Sequence, residues 1–284
     1  MSPAPDGRAR QEPIAGFRAK EHWMNSFKSA MIAVLRRMLP KRVRNTFFRL
    51  SFHLANEEFT NYAYHYAHAP DMGLGLAAMA ARGFCPKTVV DAGAFEGNWS
   101  RLARQIWPAS RLLMVEPNVG KRDALLQVAK DLRAELICEL LGAKDGLEVQ
   151  FFVMESGSSI MAERSPLPRV AETRRLRTLD SLLKKVERPA FLKIDAQGYE
   201  LQILEGAARL LEAFEAVLLE VAIIEINEGA PLLHDVTAYM KAHGFVAYDI
   251  LEIHRRPLDK ALNQVDIVFV REDSRLVADK RHFA

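Results

Sequence analysis

Asp91, Gly93, Gly97 and Glu116 are the residues whose types and spacing point most directly to chemistry. In the stretch VVDAGAFEGNWS, residues 89–100, a short apolar run ends in an acid and two glycines follow four residues apart. A strand that enters a tight glycine turn and leaves as a helix is where open α/β sheets hold nucleotide-like ligands. Gly93 lets the backbone turn where a Cβ would clash, and Gly97 lets the following helix pack closely on the strand. Asp91, at the strand's carboxyl end, is placed to meet a cationic group of the ligand. A second apolar run, 112–115, ends in Glu116 and Pro117. An acid at that position is the usual reader of a ribose diol. The dinucleotide pattern G-x-G-x-x-G is absent, since its first two glycine positions, aligned on Gly97, are Ala92 and Ala94. With no pyrophosphate to cradle, the site favours a ligand with a ribose and a cation over NAD, and S-adenosylmethionine (SAM) has both. The candidate cofactor residues are therefore Asp91, Gly93, Ala94, Gly97, Asn98, Glu116 and Pro117.

A second group of residues suits an acceptor. Asp195 closes a buried apolar run, 191–195, at the carboxyl end of a fourth strand; it reads either as an active-site carboxylate or as the N-cap of the next helix. Lys193 has the same strand parity and needs a carboxylate partner if buried, which Asp195 or Glu220 would supply. Glu220, inside Val-Leu-Leu-Glu-Val, either holds Lys193 or faces the acceptor. Glu228 and His234 fall in the loop after a fifth strand. Tyr62, Tyr64, His65, Tyr66 and His68 form an aromatic and histidine-rich stretch, read as packing residues with one or two, Tyr64 and His65 among them, reaching the site. Ser156, Ser158 and Ser159 read as ligand contacts or as a plain polar turn, and His243 and His254 as surface residues. No spacing of His, Cys or acidic residues demands a metal.

Positioning these groups takes an alternation of elements. A helix over 71–82 closes at Gly83, followed by the strands already named and a helix at 120–130. A third strand is expected near 135–141, then a turn at 142–146 and a hairpin strand at 147–154. Further on are a strand near 174–177, a short helix at 179–185, and a helix with Leu201, Leu204, Ala208 and Leu211 on one face. A strand at 216–221, a helix at 233–243 and an antiparallel pair at 245–251 and 265–270 complete the chain. Alternating strands and helices predict a doubly wound, mostly parallel α/β sheet.

The 284 residues allow one large α/β domain of about 71–284 and an appendage. Residues 1–16 lack periodicity and read as a disordered tail. Residues 17–70 read as a basic helical extension. Between Asn25 and Asn56 there is no acid, whereas Lys28, Arg36, Arg37, Lys41, Arg42, Arg44 and Arg49 are basic and apolar residues recur at helical spacing. Pro40 divides this segment into two amphipathic helices, read either as a packed extension or as a peripheral dock for an anionic membrane surface through residues 25–56. The net charge of +3 is too small to imply nucleic acid. Two cysteines without close spacing and no apolar leader predict a cytoplasmic protein, peripheral contact at the inner membrane surface being the alternative.

Taken together, VVDAGAFEGNWS, MVEPN, LLGAKDG, SGSS, RTLDSLL and FLKIDAQGYELQILEGA resemble the FkbM family of SAM-dependent methyltransferases, over roughly residues 70–271. The resemblance implies a Rossmann-like class I methyltransferase sheet of seven strands with the last antiparallel, and O-methylation of a sugar, glycan or natural-product hydroxyl. It also implies that Ala143 and Lys144 approach the adenine edge, and that Asp195, Gly198 and Glu200 fall on the family's Lys-x-Asp-x-(Glu or Gln)-Gly-x-Glu pattern. For such a reaction Asp195 is the first candidate base, with His234 or His65 in reserve and Lys193 as its catalytic neighbour. Partners are then a small-molecule or glycan acceptor, with homo-oligomerisation open; the alternatives are a membrane- or lipid-linked or macromolecular acceptor docked by the basic segment, and a protein that binds SAM without catalysis.

Overall fold

The computed structural model describes Val43, residues 69–154 and residues 157–283. The chain divides between residues 69 and 70, and the description below concerns the second unit. The stretch 59–68 with Tyr64 and His65, the tail 1–16, Ser156, and the basic segment 25–56 apart from Val43 lie outside the described residues.

Helix α1 (Met72–Ala81) starts where Asp71 accepts the Leu74 N–H at 2.7 Å, and the chain leaves it through Gly83. Strand β1 (Thr88–Ala92), α2 (Asn98–Ile106), β2 (Arg111–Val115), α3 (Arg122–Leu132) and β3 (Glu135–Ile137) follow. Then come β4 (Leu140–Leu141), β5 (Glu148–Val153), β6 (Val170–Arg177), α4 (Leu179–Leu182), β7 (Ala190–Ile194) and α5 (Glu200–Glu205). The chain closes with β8 (Phe214–Ala222), α6 (Leu233–Ala242), β9 (Phe245–Arg255) and β10 (Leu262–Arg271).

Seven strands form one sheet in the order β3-β2-β1-β7-β8-β10-β9. Pairing is parallel from β3 to β8, and β10 alone runs against its neighbours. The sheet is thus doubly wound and Rossmann-like, with its last strand antiparallel. Strand alternation sorts the core into two layers. Val89, Phe191, Ala216, Leu218 and Val268 face Leu76 and Met79 of α1 and Ala103 of α2. Val90, Leu192, Val217 and Leu219 face Leu204 of α5 and Val236 and Met240 of α6. Among the described residues no helix is long and apolar enough to cross a membrane.

Four expectations need correction. The stretch 135–141 is not one strand: β3 belongs to the main sheet, and β4 pairs with β6 in a separate three-stranded sheet ordered β4-β6-β5. Residues 148–153 consequently do not form a hairpin with the strand before them but pair antiparallel with β6, which starts at Val170. The helix after β7 ends at Glu205, so Ala208 and Leu211 do not continue it. The Asp180 carboxylate accepts the N–H groups of Arg209 and Leu210 at 2.8 and 3.0 Å, which turns that backbone out of the helical path. Likewise α4 stops at Leu182, short of 185.

Candidate active site

The carboxyl ends of β1, β2 and β7 meet around a single hinge of charge. Asp91 and Lys193 are direct neighbours across the β1–β7 pairing, so their side chains share a face. The Lys193 Nζ donates to the Gly93 carbonyl at 2.8 Å, lies 3.2 Å from Asp91 Oδ1 and 3.4 Å from Asp195 Oδ2. Asp91 is fully buried; its Oδ2 accepts the Ser100 hydroxyl at 2.6 Å, while Oδ1 has only the ion-pair contact with Lys193. Burial works against the Lys193 ammonium, yet Asp91 and then Asp195 outweigh it and hold the group above its ordinary value. Burial pushes Asp91 up against the pull of Lys193 and Ser100. The cation expected to meet Asp91 is therefore the protein's own Lys193 and not a ligand. Asp91, unforeseen as a partner, shares Lys193 with Asp195, and Glu220 does not contact it.

Gly93 is required where β1 ends. Its φ is +82°, and a Cβ there would sit 1.9 Å from the Asp195 carbonyl oxygen. Gly97 is also left-handed, but the surface it approaches is α3: a Cβ would lie 2.7 Å from Val128 Cγ1. It admits the neighbouring helix and not, as the sequence suggested, its own strand.

A pocket opens beside this hinge. Gly93, Phe95, Glu116 and Pro117 form one side, and Leu140, Leu141, Phe151 and Ile203 supply an apolar wall. Glu116 is buried, and its oxygens accept the Phe95 and Asn118 N–H groups at 2.7 and 2.8 Å. Each oxygen keeps a lone pair to accept a hydroxyl, so a ribose diol fits beside it. Burial raises its pKa, and the two N–H donors oppose that rise. Phe95 takes a φ of +47° to present its N–H, and the Lys121 ammonium lies 4.2 Å above its ring.

Not every candidate reaches the pocket. Ala94 is turned into the packing against Met114 and Leu125, and Asn98 is exposed at the start of α2. Ala143 and Lys144 do not line the pocket either; residues 139–141 occupy that wall, because the chain crosses to the small sheet before reaching 143. His234 is 77% exposed on α6 beside Asp235, and Glu228 is 60% exposed 3.7 Å from Arg164. Neither lines the pocket. Ser158 and Ser159 border it, but the Ser158 hydroxyl closes a turn with Met154 and the Ser159 hydroxyl donates to the Gln197 carbonyl at 3.0 Å.

Asp195 does line the pocket, and it is not a helix cap, because α5 begins at Glu200 with Tyr199 as its cap. Its side chain is 39% exposed. Gln197, missed as a site residue although it stands in the Lys-x-Asp-x-(Glu or Gln) pattern, donates from Nε2 to Asp195 Oδ1 at 3.1 Å and Glu220 Oε2 at 2.6 Å. It holds a φ of +53°, a conformation that costs a non-glycine residue about 1–3 kcal/mol and is kept only where surroundings enforce it. Glu200 enforces it: its Oε1 accepts the Ala196 and Gly198 N–H groups at 3.0 and 3.1 Å. Glu220 is raised well above its ordinary value by burial, then by Asp195 and Asp266.

Glu200 is itself buried, and burial lifts it to about 7 against the help of its N–H donors. The folded state then binds a proton that the unfolded chain releases near pH 4.5. Stability from this group is full below that pH, declines as pH rises towards 7, and levels off above it. Glu200→Gln keeps an oxygen for both N–H groups and removes the charge. The variant should gain roughly 2–4 kcal/mol over the wild type at pH 8 and nothing at pH 4.5, as read by urea melts. A pH-independent difference would show that Glu200 is not the titrating group.

Residues 91–247, more than half of the chain, match the family model described as Methyltransferase FkbM domain. No curated protein sequence matches. Among solved structures, a methyltransferase FkbM from Methylobacillus flagellatus is similar at 16% identity and a TM-score of 0.42, over 64% of this chain and 43% of that one. The match thus spans less than half of the Methylobacillus chain. Magnesium protoporphyrin IX methyltransferase from Synechocystis is similar at 12% identity and a TM-score of 0.42, over 70% of this chain and 76% of that one. Precorrin-6y C5,15-methyltransferase from Geobacter metallireducens gives 12% and 0.39, over 69% and 86%.

Proposed function

We propose that this chain, which belongs to the FkbM methyltransferase family and is a SAM-dependent methyltransferase, acts on a hydroxyl of a sugar, glycan or natural-product acceptor. The observation that carries the reading is Asp195: a partly exposed carboxylate on the pocket wall, anchored by Lys193 and Gln197. SAM, when bound, supplies a methyl group already activated by its sulfonium. The protein's share is to hold an acceptor oxygen in line and to take its proton. A hydroxyl's high pKa makes a positioned base valuable as the new bond forms. Asp195 is that base, and Lys193 is a positioning residue that fixes one of its oxygens. Glu116 holds the ribose hydroxyls, and Phe151, Leu140 and Leu141 wall the adenine end.

The full-length protein should transfer a labelled methyl from SAM to one hydroxyl of an acceptor drawn from glycans, glycosides and polyketide-like metabolites, seen as a single methyl gain by mass spectrometry. A methyl on nitrogen or carbon would end the O-methyl reading. SAM binding without transfer to any acceptor would favour a protein that binds SAM and does no chemistry.

The cofactor end has its own test. SAM or S-adenosylhomocysteine should raise the melting temperature by mass action, whereas NAD should not. Glu116→Ala should weaken SAM binding by about 1–3 kcal/mol, the scale of a lost hydrogen bond to a charged group. Unchanged affinity in calorimetry would take the ribose away from Glu116.

A further inference from the structure

We infer that Glu252, His254 and Asp266 form a divalent-cation site on the sheet face at the carboxyl edge of β8, outside the cofactor pocket. Asp266 of β10 is directly paired with Glu252 of β9, and His254 lies two residues further along β9, so all three side chains share a face. One ligand atom from each lies within 4.8 Å of the other two. His254 Nε2 and Asp266 Oδ2 are 2.8 Å apart. That gap is close to the roughly 3 Å edge between neighbouring ligands on an ion with bonds of about 2.1 Å. None of the three lines the cofactor pocket.

The surrounding charge supplies a separate reason for a cation. Asp266 is paired on its other side with Glu220 of β8. Glu220 in turn carries the repulsion of Asp195 after β7 and of Glu200 on α5. Close to this face, Lys193 is already shared by Asp91 and Asp195, and His254 is paired with Asp266. A bound dication is the largest compensating charge that Glu252 and Asp266 can take. One imidazole and two carboxylates suit a first-row ion such as Mn²⁺ or Zn²⁺ better than the all-oxygen set of Ca²⁺ or Mg²⁺. Glu252 is exposed and His254 partly so, which gives the ion a route in from solvent and leaves its remaining positions to water.

The test uses the full-length protein, freed of metal by a chelator and titrated with MnCl₂ or ZnSO₄ in a calorimeter. One ion per chain should bind and raise the melting temperature. Glu252→Gln and His254→Gln should each weaken binding at least about tenfold, the lower end of what even outer partners of a metal cost. His243→Gln, which changes an exposed histidine elsewhere, should leave it intact. Metal-free melts of the variants check that they fold. No ion bound at millimolar concentration would overturn the site and leave a plain His254–Asp266 ion pair. Equal binding by wild type and both variants would overturn it too, by assigning the ion to other residues.

Discussion

Lys193→Met should destabilise the folded protein by about 3–5 kcal/mol, the cost of stripping one partner from a buried ion pair. Asp91 would be left with no solvent exposure and only the Ser100 hydroxyl. Its Oδ1, which makes no hydrogen bond, would lose its one ionic contact. For a folded unit of this size the melting temperature should fall by roughly 10 °C. The sign of the pH dependence is also fixed. Burial already raises Asp91, and without the ammonium the rise is larger. Protonation then favours the folded state, so the deficit should be greatest at neutral pH and shrink as the pH falls towards the ordinary aspartate range. Adding Asp91→Asn to Lys193→Met should recover part of the loss. A drop below about 1 kcal/mol at pH 7 would mean that the pair carries no buried charge.

Asp195→Asn should lower turnover by about 10²–10⁴-fold, the usual effect of removing a general base. Asparagine keeps the shape and can still bond Gln197, but it cannot take a proton at neutral pH. Stability should change little, because Lys193 keeps Asp91 at 3.2 Å and the Gly93 carbonyl at 2.8 Å. SAM affinity should also hold, since Glu116 and the apolar wall are untouched. Turnover, affinity and melting temperature measured on this one variant separate a base from a strut. Near-wild-type turnover would end the claim of Asp195 to the proton. A large fall in melting temperature with turnover retained would make it a structural partner of Lys193.

The parts that were legible in the sequence are those where neighbours along the chain are neighbours in space. Gly93 and Glu116 sit at strand ends, and short continuous apolar runs marked β1, β2, β7 and β8. What stayed hidden depends on contacts between distant segments. The Asp91–Lys193 pair joins residues on strands far apart in the chain, and only the sheet order puts them in register. Residues 139–141 line the pocket where 143 and 144 were expected, since leaving one sheet for another within 137–140 has no signature in hydropathy. Asp195 resembled a cap until α5 was found to start five residues later. Glu252, His254 and Asp266 escaped notice for the same reason: two are spaced as on any strand, and the third comes from the return strand.

The small sheet β4-β6-β5 has a consequence for how this protein can vary. Leu140 and Phe151, which wall the pocket, pack with Leu176 in a cluster of their own. The main-sheet edge carries Glu116 and Asp195 on different backbone. On the function proposed above, repacking β4, β5 and β6 should retune the grip on the nucleoside while the backbone that carries Asp195 keeps its geometry. In a laboratory library, substitutions at Phe151 and Leu176 should shift cofactor affinity largely independently of acceptor preference, which makes the two ends separately evolvable parts of one cleft.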